Sequence, residues 1–206
     1  MKPLLRKLFV ALFAWPVTRV LLGLHVRDAQ RLPSCGPAII AANHNSHLDT
    51  LTLLSLFPLR QIPMVRPVAA ADYFLRNAIL AWVSLNLIGV IPIARRVRKT
   101  DPLLGCYEAL QRGEILIVFP EGSRGEPEQM SELKTGIAHL AEKFPHVPVI
   151  PVFMHGLGLA LPKGEALLVP RFCDIHIGEA LYWQGDREGF MHVLHEFFTS
   201  LSAHYV

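Results

Sequence analysis

Pro37-Ala38-Ile39-Ile40-Ala41-Ala42-Asn43-His44-Asn45-Ser46-His47-Leu48-Asp49 is an uncharged apolar run that breaks into a polar cluster. Short apolar runs between turn residues predict buried strands, and unbroken hydrophobicity suits a parallel sheet covered on both faces. The second apolar stretch, Leu48 to Phe57, predicts a helix. A strand that hands a histidine and a carboxylate to the following turn implies an α/β fold with its site at the strand ends.

His44 and Asp49 cannot both lie on that helix and still meet. Residues five apart on a regular α-helix are separated by about 140° around its axis. His44 therefore belongs to the turn, and Asp49 projects back from the first helical turn to orient the imidazole and stabilise its protonated form. The pair resembles a triad without its serine, so the attacking hydroxyl is expected to come from a substrate. A metal reading of His44, His47 and Asp49 fails for want of companions. No other Cys or His group has zinc spacing, and Cys35, Cys106 and Cys173 are scattered. No metal and no cofactor are expected.

The 206 residues suit one domain. A hydrophobic fraction of 51% against 18% charged residues, with positive mean hydropathy, points toward a membrane surface. Positive charge is grouped in Lys2, Arg6 and Lys7 and again in Arg95, Arg96, Arg98 and Lys99, which suits anionic headgroups or a phosphate-bearing substrate. No nucleic-acid motif is present, and three irregularly spaced cysteines make no disulfide framework.

Residues 1–24 carry basic side chains before an apolar run that Pro16 and Arg19 interrupt. That run is too short to span a bilayer and no small-x-small cleavage site follows, so it is expected to lie on the membrane as an interfacial helix. Residues 25–206 form the remaining domain, with Arg27 to Gly36 as a connector. Strands are predicted at Ile62 to Ala70 near a sheet edge, Val90 to Ala94, Glu114 to Phe119 and His146 to Met154, where Pro148 and Pro151 limit pairing. Ala166 to Leu181 reads as two strands turning near Arg171. Helices are predicted over Asp72 to Leu87, from Asp101-Pro102 to Gly113, from Lys134-Thr135-Gly136 through Ala141, and after the cap Asp186. The fold class is a single-domain mixed α/β, with a mostly parallel sheet flanked by helices and an N-terminal membrane-interfacial helix.

Four stretches, in order, resemble the four blocks of the glycerolipid acyltransferases typified by 1-acylglycerol-3-phosphate acyltransferases. They are Asn43-His44-x-Ser46-x-x-Asp49, an HX4D motif; Gly89-Val90-Ile91-Pro92-Ile93-Ala94-Arg95; Phe119-Pro120-Glu121-Gly122-Ser123-Arg124; and Val147-Pro148-Val149-Ile150-Pro151-Val152. The ordered set covers about residues 35 to 155. Two features depart from the commonest pattern: Ile91-Pro92-Ile93 lacks an aromatic, and Gly125 stands where serine is frequent.

The resemblance implies that His44 takes the proton of an acceptor hydroxyl as it attacks an acyl thioester, with Asp49 holding His44. Arg95 and Arg124 would bind the acceptor phosphate through forked guanidinium donors. Glu121, Gly122 and Ser123 shape the loop, Glu121 more as a brace for Arg124 than as a glycerol contact, and Lys134 adds charge. The expected partners are acyl-CoA or acyl-carrier protein as donor, a lysophospholipid as acceptor, and a membrane surface; nucleic acid is excluded. The expected reaction converts 1-acylglycerol 3-phosphate to phosphatidate, from a peripheral position on the cytoplasmic face of the inner or plasma membrane. Another lysophospholipid, a lyso-aminolipid or glycerol 3-phosphate is the alternative acceptor, and a non-catalytic membrane scaffold the alternative of another class.

Overall fold

A computed structural model describes residues 2–74, 76–94, 101–125, 128–161 and 167–205, apart from the side chain of Tyr73. Helix α1 (Lys2–Phe9) continues through π turns at Val10–Ala14 and Val17–Leu21. Then come β1 (Gly23–Arg27), β2 (Ala38–Ala42), α2 (Leu48–Leu56), β3 (Val65–Ala70) and α3 (Ala71–Phe74). Helix α4 (Ala78–Val83) runs into a π turn at Ser84–Ile88, and β4 (Ile91–Ile93), α5 (Leu104–Gln111), β5 (Ile115–Val118) and α6 (Gly136–Lys143) follow. The remaining elements are β6 (Val149–His155), α7 (Leu157–Ala160), β7 (Phe172–Ile177) and α8 (Arg187–Ser202).

Seven strands form one sheet in the order β1-β7-β6-β2-β5-β3-β4, and every pairing is parallel except β6 with β7. Every residue of β2 is fully buried, as its unbroken apolar run requires. Its alternate side chains serve two cores. Ala38, Ile40 and Ala42 face one that includes Leu53 and Leu54 of α2 and Val10 and Ala14 of the N-terminal helix. Ile39 and Ala41 face another with Leu110, Leu140, Leu194 and Phe198 from α5, α6 and α8. Full burial of a side chain such as Ile39, Leu110 or Leu194 contributes roughly 1.5–3 kcal/mol.

This layering opens the site. Strands β2 and β5 are parallel neighbours, yet the helix after β2 covers one face and the helix after β5 the other. Their loops therefore diverge at the C-terminal strand ends and leave a crevice between them.

Several elements depart from the expected ones for physical reasons. Gly23–Arg27, assigned from sequence to the end of the first helix and a connector, is an edge strand of alternating exposure whose polar residues hide its signal. Strand β3 lies second from the edge, near it as expected. It pairs with β5 through Val65–Pro67 and with β4 through Val68–Ala70, so Pro67 sits where one pairing hands over to the other. In β6, pairing with β7 starts at Val152, just beyond Pro151. The helix expected over Asp72 to Leu87 is two, α4 being capped by Asn77, whose side chain accepts from Leu80 N. Only one strand, β7, lies among the described residues of the segment expected to form two.

The N-terminal helix shows an unusual inward stripe. Arg6, Val10, Ala14 and Thr18 are its buried residues. A spacing of four drifts around a 3.6-residue helix, and the wider π turns, with their i→i+5 bonds, take up that drift. Pro16, which has no N–H to donate, lies between the two π turns. Trp15 Nε1 and Arg19 Nη2 both donate to Ser55 O at the end of α2, at 3.1 and 3.2 Å.

Arg6 fixes the other end of this helix. Its guanidinium donates to Pro63 O at 2.9 Å, to Val65 O, and to Ile88 O at 2.9 Å. Burial, then repulsion from Arg66, lowers its pKa to about 10, which leaves it charged at neutral pH. It lies directly on Gly89, whose φ is +83° and where a Cβ would stand 2.3 Å from Arg6 Cζ. Arg6→Leu leaves three carbonyls without their donor, one in a buried and two in part-buried bonds, and is expected to cost about 2–4 kcal/mol, read as a lower urea midpoint at unchanged slope. An unchanged midpoint would show that water replaces the guanidinium at no cost.

Candidate active site

His44 lies in the turn between β2 and α2, and Asp49 in the first turn of α2. The imidazole Nδ1 is 2.8 Å from Asp49 Oδ2. That same oxygen accepts the backbone N–H groups of Asn45 at 2.7 Å and Ser46 at 2.8 Å. The carboxylate is completely buried, so these donors take the place of the water it has lost. Nδ1 carries its proton toward the carboxylate, which leaves Nε2 as the basic nitrogen. The ring stacks on Phe119 at 4.1 Å between centroids, 19° from parallel, and is thereby held in plane.

Three buried polar side chains keep this turn in place. Asn43 makes a reciprocal pair with Met154 of β6, its Oδ1 accepting from the backbone N at 2.7 Å and its Nδ2 donating to the carbonyl at 2.8 Å. Asn45 Nδ2 also donates to Met154 O, at 3.3 Å. Ser46 Oγ donates to Leu161 O at 2.9 Å and accepts from Leu48 N at 3.2 Å, so its hydroxyl is committed to structure.

Glu121 joins the two loops of the crevice. Its carboxylate accepts His44 N at 2.7 Å and Ser131 N at 2.8 Å. The bracing expected of Glu121 thus falls on the backbone of the histidine turn. Burial raises its pKa above the ordinary glutamate value, against the pull of the two backbone N–H groups and of His44. An acid with a raised folded pKa holds a proton that the unfolded chain has released, so its contribution to stability shrinks as pH climbs from the ordinary value through the raised one. Glu121→Gln removes that dependence at the cost of one backbone hydrogen bond, about 1 kcal/mol. Its stability relative to the parent is expected to improve with rising pH across this window in denaturation series. A difference that stays flat with pH would contradict it.

Gly122 and Lys134 come together. At Gly122, φ is +73°, a conformation that favours glycine, and a Cβ would stand 2.8 Å from Lys134 Nζ. Lys134 N donates to Pro120 O at 2.9 Å. Ser123 is exposed and, with Glu121, Ser131, Lys134 and Thr135, lines a hollow of about 490 Å³. Arg124 is half-buried and close enough to His47 to help lower that histidine's pKa, after burial and ahead of His44. His47 thus lies within electrostatic reach of both Arg124 and His44, while Lys134 lines the hollow together with Glu121 and Glu132. Arg95, expected at the end of the predicted strand Val90 to Ala94, lies outside the described residues.

Two supports were not foreseen. One is Phe119, expected as the end of a strand and the start of the third block but not as a support for His44. The other is Glu128, whose carboxylate accepts Gly156 N at 3.1 Å and Gly158 N at 2.9 Å and pairs with His155 Nδ1 at 2.9 Å. It ties the loop after Arg124 to the end of β6. A single acid in an aperiodic loop gives no pattern to read; the one clue was Gly156-x-Gly158, which allows close backbone approach.

The acyltransferase family model matches residues 23–155. A chloroplastic 1-acyl-sn-glycerol-3-phosphate acyltransferase of Arabidopsis thaliana is 29% identical over 162 residues, 77% of this chain and 42% of that protein. The human 1-acyl-sn-glycerol-3-phosphate acyltransferase alpha is 32% identical over 156 residues, 74% of this chain and 52% of that one. The chain thus spans about half the length of these relatives, or less. A crystal structure of PlsC, the 1-acyl-sn-glycerophosphate acyltransferase of Thermotoga maritima, superposes with a TM-score of 0.69 at 21% identity, covering 95% of this chain and 81% of that one. That likeness speaks for the fold. A family match running from β1 to the last residue of β6, with the histidine turn and both loops of the crevice inside it, shows that this chain belongs to the acyltransferase family.

Proposed function

We propose that this protein moves a fatty acyl group from a thioester, either acyl-CoA or acyl-carrier protein, to the free hydroxyl of 1-acylglycerol 3-phosphate, giving phosphatidate. The observation that carries this reading is the His44–Asp49 pair at 2.8 Å, beside a serine whose hydroxyl is already engaged. A base with an orienting carboxylate and no adjacent nucleophile suits direct transfer to an acceptor hydroxyl. His44 Nε2 takes the hydroxyl proton as the oxygen attacks the thioester carbonyl. Asp49 offsets the charge of the imidazolium, which returns the proton to the departing thiolate. Arg124 and Lys134, with Arg95, supply the positive charge that an acceptor phosphate requires. The N-terminal helix seats the protein on the cytoplasmic face of the membrane that holds its lipid substrate. Among the described residues, no helix is long and apolar enough to cross a membrane.

The reading is tested with purified protein in vesicles, offered lysophosphatidate, glycerol 3-phosphate and a neutral-headgroup lysolipid, each with both thioester donors. Turnover of lysophosphatidate is expected, and the preferred donor identifies itself. Turnover only of another acceptor would change the substrate, and none from folded, vesicle-bound protein would favour a scaffold.

A further inference from the structure

Helix α4 has the sequence Ala78-Ile79-Leu80-Ala81-Trp82-Val83, entirely apolar, yet none of its six residues is buried. Of the π turn that continues it, only Ser84 is buried. Ile79 is 80% exposed, Trp82 52% and Leu85 42%. A helix that is apolar all round belongs inside something, and the protein does not cover this one. We propose that α4 and its π turn form a second membrane-seated element, lying in the same leaflet as the N-terminal helix. This deepens the membrane part of the proposed function and rests on it.

Three observations select lipid as the occupant. The first is length: eleven residues make a helix of about 16 Å, roughly half a hydrocarbon core, which suits lying within one leaflet. The second is charge. No acidic residue precedes Asp28, and Asp72 is the one acid between Thr50 and Thr100, whereas Lys2, Arg19 and Arg76 are exposed along the same elements. Such a surface attracts anionic headgroups and would repel no phosphate.

The third is continuity. Arg6 donates to Ile88 O at the C-terminal end of the π turn and lies on Gly89, so the N-terminal helix and the α4 segment are fastened to each other. On the far side of the N-terminal helix from Arg6, Leu4 is 62% and Leu8 45% exposed, with Leu12 at 75%. Two fastened helices with bare apolar surfaces and basic flanks enter a bilayer as one unit. The segment Val90–Ala94, which contains β4, starts where they join, so the second sequence block would sit at the lipid boundary.

Trp82 reports on this directly. Tryptophan emission of the full chain is recorded on vesicles of equal parts phosphatidylcholine and phosphatidylglycerol, with and without bromine in the acyl chains. The difference between the parent and Trp82→Phe isolates Trp82 from Trp15 and Trp183. That difference is expected to be quenched about twofold or more by brominated lipid. Ile79→Asp with Leu85→Asp is expected to weaken vesicle binding about tenfold or more, at an unchanged thermal midpoint in detergent. Vesicle-bound protein whose Trp82 signal resists quenching would overturn the proposal and leave anchoring to the N-terminal helix alone. A lipid-free dimer that shields Trp82 and persists on vesicles would overturn it in favour of a second copy. Quenching without acyl transfer would uphold it while the proposed reaction fails.

Discussion

His44→Ala is expected to lower acyl transfer by about 10²–10⁴-fold, the range that a positioned general base supplies, and to leave the fold in place. In the proposed reaction the imidazole of His44 is the acceptor of the hydroxyl proton. His47, three residues on, has its pKa lowered by burial and by Arg124, which makes it a poorer base. Removing the ring strips one of three donors from Asp49 Oδ2, but the N–H groups of Asn45 and Ser46 remain, so the carboxylate stays solvated by the backbone. Circular dichroism and the thermal midpoint therefore separate chemistry from folding. A folded variant that retains a tenth of the parent rate would remove His44 from the mechanism.

The second large effect belongs to Asp49→Asn. The side chain keeps its size and one carbonyl oxygen that can still receive backbone N–H groups, but it loses its charge. The imidazolium formed as the proton is taken then has no counter-charge, and an amide N–H turned toward Nδ1 would favour the wrong tautomer. A drop in kcat of about 10²–10⁴-fold with little change in acceptor KM is expected. The variant should also be less stable. In the parent a fully buried carboxylate collects three charge-assisted bonds, each stronger than the neutral ones that replace them. A variant that loses acceptor binding while keeping kcat would assign Asp49 to the acceptor site.

The parts of the site legible in sequence are those fixed by local chain geometry. His44 must leave the helix to meet Asp49, and it does. Asp186 caps α8, its side chain accepting from Glu188 N and Gly189 N, as its place before the helix implied. Strands β2 and β5 announced themselves because burial on both faces leaves only apolar residues. Contacts set by distant parts of the chain were hidden. Phe119 meets His44 because β5 lies beside β2, and Glu128 reaches Gly156 across 28 residues. Strand β1 escaped notice because an exposed edge strand tolerates His25 and Arg27, and Arg6 reads as a surface cation until Gly89 and three distant carbonyls surround it.

The pairing of β1 with β7 also has a consequence in time. His25 and Asp174 face one another in register from positions 149 residues apart. At roughly 5–20 residues per second of synthesis, the first strand waits on the order of 10–30 s for its neighbour to leave the ribosome. During that interval the helix before it has emerged with its leucines bare, and α2, which it packs on, follows soon after. Sheet closure at this edge is therefore the late step of folding, and the nascent helix can meet a lipid surface before the strand beside it has a partner.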